Sequence, residues 1–383
     1  MNAVSMAASA SDTSAPPSQF GLINLMKAIA AQFIVLHHLA LYGPMADRAR
    51  PLMPSLVDWL NDWGRLAVQV FLVIGGFLAA KSLSPQGLPG LANPVATVWR
   101  RYAKLAPPFV VAMLLAIVAS EIARSWMTHD SISEPATLRQ LAAHALLLHG
   151  VLGYESLSAG AWYVAIDFQL YAMFVFLLWL CKRASRNGGQ AWLMPAVIAA
   201  CAIVSLLYFN REPDWDVWAP YFFGSYGLGI MVWWAGDPER RPGTGALMLT
   251  VMLLGTLVAL DTEFRGRIAL ALAVAVFLFV FGRSPLPPIA PRAEMMLNTL
   301  GRISYSIFLV HFPVCLVVNA AFTRFVSHAP IWQAIGVLVA WAASLAAGAA
   351  FFHLVEKPLG RLWRAPQKTV YRYRTLDALA TRI

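Results

Sequence analysis

One predicted membrane helix carries two ionisable residues, Lys27 and His38, eleven positions apart. Eleven steps of about 100° return the chain to within about 20° of the same helix face, roughly 16 Å further along the axis. A cation and an imidazole therefore point the same way from the two ends of one helix. Ionisable side chains at membrane depth are costly and usually functional. A cation that can hold an anionic donor, and a base that can activate a hydroxyl, together indicate group transfer.

A second histidine, His37, directly precedes His38, so the two imidazoles point about 100° apart on a helix. Only His38 shares the face of Lys27, and the spacing selects it as the candidate general base. The structural alternative for either histidine is a place at the outer interface, bonded to a helix carbonyl.

A group of basic residues follows in the segment WRRYAKLAPP. Arg101 and Lys104 lie three positions apart and share a helix face, and no acidic residue occurs between Lys81 and Lys104. One interpretation is ordinary positive charge in a cytoplasmic loop. The other is a phosphate-binding patch at the cytoplasmic mouth, suited to a nucleotide-bearing donor. On the second interpretation we expect Arg101 and His38 to line a single conduit through the lipid.

Three further ionisable residues lie in or beside apolar segments. Asp167 needs a partner at membrane depth, and the sequence leaves open whether it pairs with an arginine or orients a catalytic histidine. His311 precedes Pro313, and we interpret it first as bonding a carbonyl that the proline frees. Glu356 ends the last apolar segment, where an ion pair at the inner rim is the expected role.

The composition is that of an integral membrane protein. Of the 383 residues, 59% are hydrophobic and 13% are charged, against about 25% charged in soluble domains. A bilayer-spanning helix needs about 20 mostly apolar residues. The sequence predicts an all-α, polytopic membrane protein with about ten transmembrane helices, near 20–42, 62–82, 105–124, 161–181, 191–209, 218–236, 246–261, 267–283, 301–325 and 331–353. The apolar segment 138–152 is short and is predicted to be interfacial or re-entrant.

Charge placement predicts the topology. Most of the 29 lysines and arginines fall on one side of the predicted spans, which places both termini in the cytoplasm. The net charge of +10 is explained by these loops, so no nucleic-acid partner is expected. Residues 1–18 are predicted to be a disordered tail, 19–360 the membrane domain and 361–383 a basic cytoplasmic tail. The cysteines Cys181, Cys201 and Cys315 have no spacing that indicates a disulfide or a metal site.

Five motifs in order resemble the acyltransferase 3 family of membrane O-acyltransferases, over roughly residues 20–360. The first is the basic residue followed eleven positions later by histidine, and the second is VFLVIGGFL. The third is the loop element ending in Pro107. The fourth is the helix that contains Trp162, Asp167, Gln169 and Tyr171, and the last comprises ISYSIFLVHFPV and the terminal VEKP. The chain departs from the family pattern at four positions. Lys27 and Lys104 stand where the family has arginine, Asp167 stands where it has glutamate, and Gly75 stands where it has serine.

The resemblance implies an O-acyltransferase, with acetyl-CoA as the first candidate donor and no metal. Arg101, Lys104 and Lys27 would bind the donor, and His38, with Asp167, would be catalytic. The acceptor would be a hydroxyl of a cell-surface carbohydrate or its lipid-linked precursor, at the inner membrane of a bacterium. Membrane lipids are further partners, and the sequence leaves a homo-oligomer open.

Two other hypotheses fit parts of the sequence. A transporter or flippase for a glycan or small solute would also have many spans with polar groups in helices, although we find no inverted repeat. A non-catalytic membrane partner in an assembly complex is the third hypothesis, and the Lys27–His38 spacing argues against it.

Overall fold

The structure, a computed structural model, describes residues 21–90, 93–185, 191–284 and 290–362. All regular elements in these ranges are helical. The predicted tails 1–18 and 361–383 lie outside the described residues, apart from Arg361 and Leu362. The helices are α1 Gly21–Leu41, α2 Pro44–Ala49, α3 Pro54–Trp63, α4 Val68–Leu83, α5 Pro94–Trp126, α6 Leu138–Ala145, α7 Ala161–Ala184, α8 Leu193–Leu207, α9 Ala219–Ala235, α10 Pro242–Thr262, α11 Gly266–Phe281, α12 Pro291–Phe325, α13 Pro330–Phe351 and α14 Lys357–Leu362.

Each of the ten predicted apolar segments is a helix, but they differ in length. Eight helices or helix runs in the described chain are long and apolar enough to cross a membrane. The other two, α9 and α11, have 17 and 16 residues, fewer than the roughly 20 that a bilayer requires. Helix α9 is buried along almost its whole length among other helices. The all-α membrane fold is therefore confirmed, while the count of ten crossings and the cytoplasmic termini stay predictions.

Two long helices and one close helix pair organise the interior. Helix α12 packs against α13, α1 and α5, and α4 packs against α9. The α4–α9 pair meets backbone to backbone, because a Cβ on Gly76 would overlap the Tyr226 carbonyl and a Cβ on Gly229 would overlap the Val73 carbonyl. Small residues allow this approach in membrane helices. Gly76 and Gly229 are therefore packing residues of this helix pair.

The segment between α5 and α7 does not cross the bundle. Its helix α6 has eight residues and begins with a capping box, in which Thr137 and Gln140 satisfy each other's backbone N–H groups. Turns follow α6, and the backbone of Leu147 has a positive φ of 58°. A helix of this length spans about 12 Å, which agrees with the interfacial or re-entrant prediction for residues 138–152.

Candidate functional site

The predicted basic residues come together at one end of the bundle, which we call the basic end. The Arg101 guanidinium on α5 lies 2.5 Å from an Asp167 carboxylate oxygen on α7, with side chains 29% and 14% exposed. The same guanidinium lies 5.1 Å from the centre of the Tyr171 ring. The carboxylate and the aromatic ring hold the guanidinium in one orientation, as a preformed anion site requires.

Two lysines extend the basic end. Lys27 on α1 is close enough to Lys104, Arg101 and Asp167 for their charges to act on it. Lys104 in turn acts on Glu356, whose carboxylate accepts a hydrogen bond from the Ser306 hydroxyl at 2.5 Å. Three cations from α1 and α5 therefore share one region with two carboxylates, Asp167 and Glu356. This arrangement carries excess positive charge, which suits phosphate groups.

His38 lies at the other end of α1 and makes a direct contact with His311 of α12. His38 Nδ1 is 2.6 Å from His311 Nε2, and both residues are buried, at 8% and 0% exposed. The ring planes are parallel to within 8°. Because 2.6 Å is far shorter than a stacking distance, the rings meet edge to edge through a hydrogen bond. We call this pair the histidine pair.

The hydrogen-bond network assigns the protons of the histidine pair. His311 Nδ1 lies 2.8 Å from the Phe308 carbonyl oxygen, so Nδ1 carries the proton and Nε2 of the neutral ring accepts. His38 must then donate from Nδ1. The unprotonated nitrogen of His38 is therefore Nε2, which is the tautomer that a general base requires.

The partnership of His311 with His38 was not predicted from the sequence. The expected carbonyl bond exists, but it goes to Phe308, whereas Pro313 frees the carbonyl of Leu309, four residues before it. His37 Nδ1, by contrast, bonds the Leu60 carbonyl oxygen at 2.9 Å, in agreement with the structural alternative for that residue. The isolated HFP sequence in an apolar segment was the available signal for His311.

Asp167 was predicted to be catalytic beside His38, and the structure places it with Arg101 instead. Of the two partners that the sequence left open, the arginine is the one observed, and the partner of His38 is His311. A direct orienting contact from Asp167 to His38 is therefore absent from the described part of the chain. A contribution of Asp167 to the reaction stays a prediction.

His38 faces a cavity of about 740 Å³ near the ends of α1 and α3, which we call the histidine cavity. Its wall contains both histidines of α1, aromatic side chains and several hydroxyl and carboxylate groups. Such a mixture of apolar walls and a few polar groups is typical of a small-molecule site. The lining residues include His37, His38, Tyr42, Asp62, Arg65, Ser131, Ser156, Trp162 and Phe308.

An aromatic layer separates the histidine cavity from the basic end. Phe308 packs on His311, with ring centres 5.9 Å apart, and on Tyr163 at 5.3 Å. Phe71 closes the layer, 6.0 Å from Tyr163 and 6.4 Å from Phe308. Neither the histidine cavity nor a second cavity beside it is lined by Arg101. The expectation of one open conduit is therefore not met by these two cavities of the described chain.

Comparison with known proteins identifies the family. A family model described as an acyltransferase domain, of the acyltransferase 3 type, matches residues 21–350. The chain belongs to the acyltransferase 3 family. It is also 26% identical over 303 residues to BcsY of Komagataeibacter xylinus, described as a membrane-bound transacylase, covering 71% of this chain and 73% of that protein. No solved structure matches the chain.

Membership of the acyltransferase 3 family makes the protein an integral membrane acyltransferase. The transporter hypothesis is not favoured by either comparison. The resemblance drawn from five short motifs is thus confirmed over nearly the whole described chain.

Proposed function

We propose that the protein transfers an acyl group, in the first instance acetyl, from acyl-CoA to a hydroxyl of a cell-surface carbohydrate or its lipid-linked precursor, in a bacterial inner membrane. The observation that carries the proposal is the histidine pair. Its hydrogen bonds leave His38 Nε2 as the unprotonated nitrogen of a side chain that lines a cavity of about 740 Å³.

The reaction follows from that nitrogen. His38 Nε2 accepts the proton of the acceptor hydroxyl while the hydroxyl oxygen attacks the thioester carbonyl carbon. The carbon–sulfur bond breaks, and the CoA thiolate leaves and takes up the proton from His38. His311 holds the imidazolium through the bond at Nδ1. General-base assistance of this kind contributes about 10²–10⁴ in rate.

The basic end supplies the donor site. Arg101, Lys104 and Lys27 would bind the phosphates of CoA, with Asp167 fixing the guanidinium. The acyl end of the donor would then pass the aromatic layer to meet the acceptor beside His38. The positive-inside pattern supports a cytoplasmic position for the basic end, where acyl-CoA is made.

The test is His38→Ala in the producing bacterium, with membrane insertion verified. We expect acyl groups on the surface carbohydrate to disappear, as measured by mass spectrometry. His328→Ala is the matched control, because His328 is exposed between α12 and α13, where its ring bonds the nearby Thr323 carbonyl, and it lines neither cavity. Wild-type acylation in His38→Ala would remove His38 from the mechanism.

A further inference from the structure

A second cavity, of about 760 Å³, lies beside the histidine cavity. We call it the arginine cavity. The two cavities share five lining residues, so they are neighbouring chambers of one recess: Asp62, Arg65, Val68, Ser156 and Trp162. A group held in the arginine cavity therefore lies next to the chamber that His38 faces.

Arginines outnumber carboxylates in the wall of this cavity. Three arginines line it, Arg65, Arg265 and Arg267, against two carboxylates, Asp62 and Asp216. Arg265 is committed to the fold, because it donates to the Asn210 side-chain oxygen at 2.6 Å and to the Leu206 carbonyl at 2.9 Å. Arg265 and Arg267 each have an Nε that is buried without a partner in the described chain. Arg265 already bonds through both terminal nitrogens, whereas Arg267 bonds through one, so Arg267 and Arg65 are the guanidinium groups with terminal donors left.

Arg65 is exposed in the turn between α3 and α4 and has no hydrogen-bond or ion-pair partner in the described chain. Arg267 donates to the Asn210 carbonyl at 2.8 Å and lies 4.9 Å from the centre of the Tyr221 ring. Its Nε is buried and has no partner within the part of the chain that the structure describes. A buried charged donor without a partner is costly. An oxyanion in the cavity would satisfy the buried Arg267 Nε through a charge-assisted hydrogen bond, and Arg65 in the same wall would add a second positive charge.

His149 provides a neutral polar group in the same wall. It is 1% exposed, and neither of its ring nitrogens has a hydrogen-bond partner among the described residues. Burial and the adjacent His144 lower the pKa of His149 to about 3, so the ring is uncharged at neutral pH. An uncharged imidazole is suited to a hydroxyl group rather than to a second anion.

Aromatic side chains complete the wall. Trp63, Trp162 and Tyr221 line the cavity and offer apolar faces against which a sugar ring can pack. Each chamber has a volume within the range of small-molecule sites, so the recess accommodates more than one sugar ring.

Resting on the proposed function, we propose that the arginine cavity is the acceptor-binding subsite, and that it selects an acceptor glycan bearing an oxyanion, bound by Arg65 and Arg267. The oxyanion is a carboxylate of an acidic sugar or a phosphate of the lipid carrier. Its capture positions the neighbouring ring in the histidine cavity with a hydroxyl towards His38.

The test measures binding without any acyl donor, so it does not depend on transfer. The full chain in nanodiscs of zwitterionic lipid is titrated with methyl β-glucuronide, methyl β-glucoside and methyl phosphate, by calorimetry. We expect an anion to bind on the order of 10-fold more tightly than the glucoside. Binding of glucuronide identifies an acidic sugar, and binding of methyl phosphate alone identifies the carrier phosphate.

The variants assign the binding to the cavity. Arg65→Gln and Arg267→Gln are each expected to weaken anion binding on the order of 10-fold and to leave glucoside binding unchanged. Arg324→Gln is the control, because Arg324 is exposed on α12 and lines neither cavity. If Arg267→Gln fails to fold, Arg65→Gln tests the subsite alone. Arg65 has no hydrogen-bond or ion-pair partner in the described chain, so its substitution should not destabilise the fold.

Equal affinity for glucoside and anions, or unchanged anion binding in Arg65→Gln, would overturn the proposal. His38→Ala separates this subsite from the proposed reaction. It should keep anion binding while it loses transfer. If transfer by the wild-type protein is absent but arginine-dependent anion binding remains, the reaction is wrong and the subsite stands.

Discussion

His38 and His311 form a hydrogen-bonded pair across 273 positions of sequence, with 2.6 Å between Nδ1 of the first and Nε2 of the second. The pair joins α1 to α12 inside the bundle. The Phe308 carbonyl fixes the proton of His311, and His311 in turn fixes that of His38. A helix carbonyl therefore determines which nitrogen of His38 is free to act as a base.

The first prediction concerns this dependence. His311→Ala removes the acceptor of the His38 Nδ1 proton, so the ring can turn or change tautomer. We expect kcat to fall about 10²-fold or more, with little change in the KM for acyl-CoA. The double variant His38→Ala/His311→Ala should be no slower than His38→Ala alone, because residues that act as a unit are not additive. Additive losses in kcat would show that the two histidines act separately.

The second prediction concerns the Arg101–Asp167 ion pair. Arg101→Gln leaves a largely buried carboxylate without its partner, so we expect a loss of about 2–4 kcal/mol in the free energy of unfolding. The double variant Arg101→Gln/Asp167→Asn should recover most of the lost free energy of unfolding, because it removes the unpaired carboxylate as well. The KM for acyl-CoA should rise in both variants on the order of 10-fold, because both lack the guanidinium. A normal KM in the double variant would mean that Arg101 serves the fold alone.

The third prediction concerns the close contact of α4 with α9. Gly76→Ala would force a methyl group against the Tyr226 carbonyl, and relief requires the helices to separate. We expect a loss of about 1–3 kcal/mol in stability, measured by thermal melting in detergent. Gly243→Ala is the control, since an added Cβ there would meet no described atom within 4 Å beyond the backbone of its own helix and its chain neighbours. An unchanged melting temperature for Gly76→Ala would contradict the close backbone contact between α4 and α9.

The fourth prediction concerns acid sensitivity. Burial and His144 hold the pKa of folded His149 at about 3, below the ordinary 6.5. Below pH 6.5, His149 therefore binds a proton in the unfolded chain but stays unprotonated in the folded chain until the pH approaches 3. Stability from this residue is present above pH 6.5 and falls towards pH 3, by about 1.4 kcal/mol for each pH unit at most.

Thermal melting between pH 7 and pH 4.5 measures this effect. His149→Phe should melt with a weaker pH dependence than the wild type, because a ring without ionisable nitrogens remains against Phe109 and His144. His328→Phe, at an exposed site, should keep the wild-type dependence. An identical pH profile for His149→Phe would show that His149 is not buried in the folded protein.

Local rules predicted the helices and the basic end well. Apolar segments of sufficient length must form helices in lipid, and the regular helix repeat relates Lys27 to His38 on one helix. Arg101 and Lys104 share a helix face for the same reason. These relationships depend on spacing along one element, so a single sequence contains them.

The same rules could not predict contacts between helices that are distant in sequence. His311 had a satisfactory local explanation in the Phe308 carbonyl, and nothing in its neighbourhood pointed to a second bond with α1. Arg65 lies within the predicted span 62–82, but the cavity that it lines is assembled from several segments that are distant in sequence. Asp167 had two possible partners until α5 and α7 were placed side by side.

The packed rings of Phe71, Tyr163 and Phe308 have a consequence for the cell as a whole. A water-filled channel from one face of an energised bilayer to the other would dissipate the proton gradient. In the proposed topology, these three packed rings would lie between the two compartments and would exclude a hydrated path for ions between turnovers. Such an enzyme would take substrates from both sides of its membrane without dissipating the gradient.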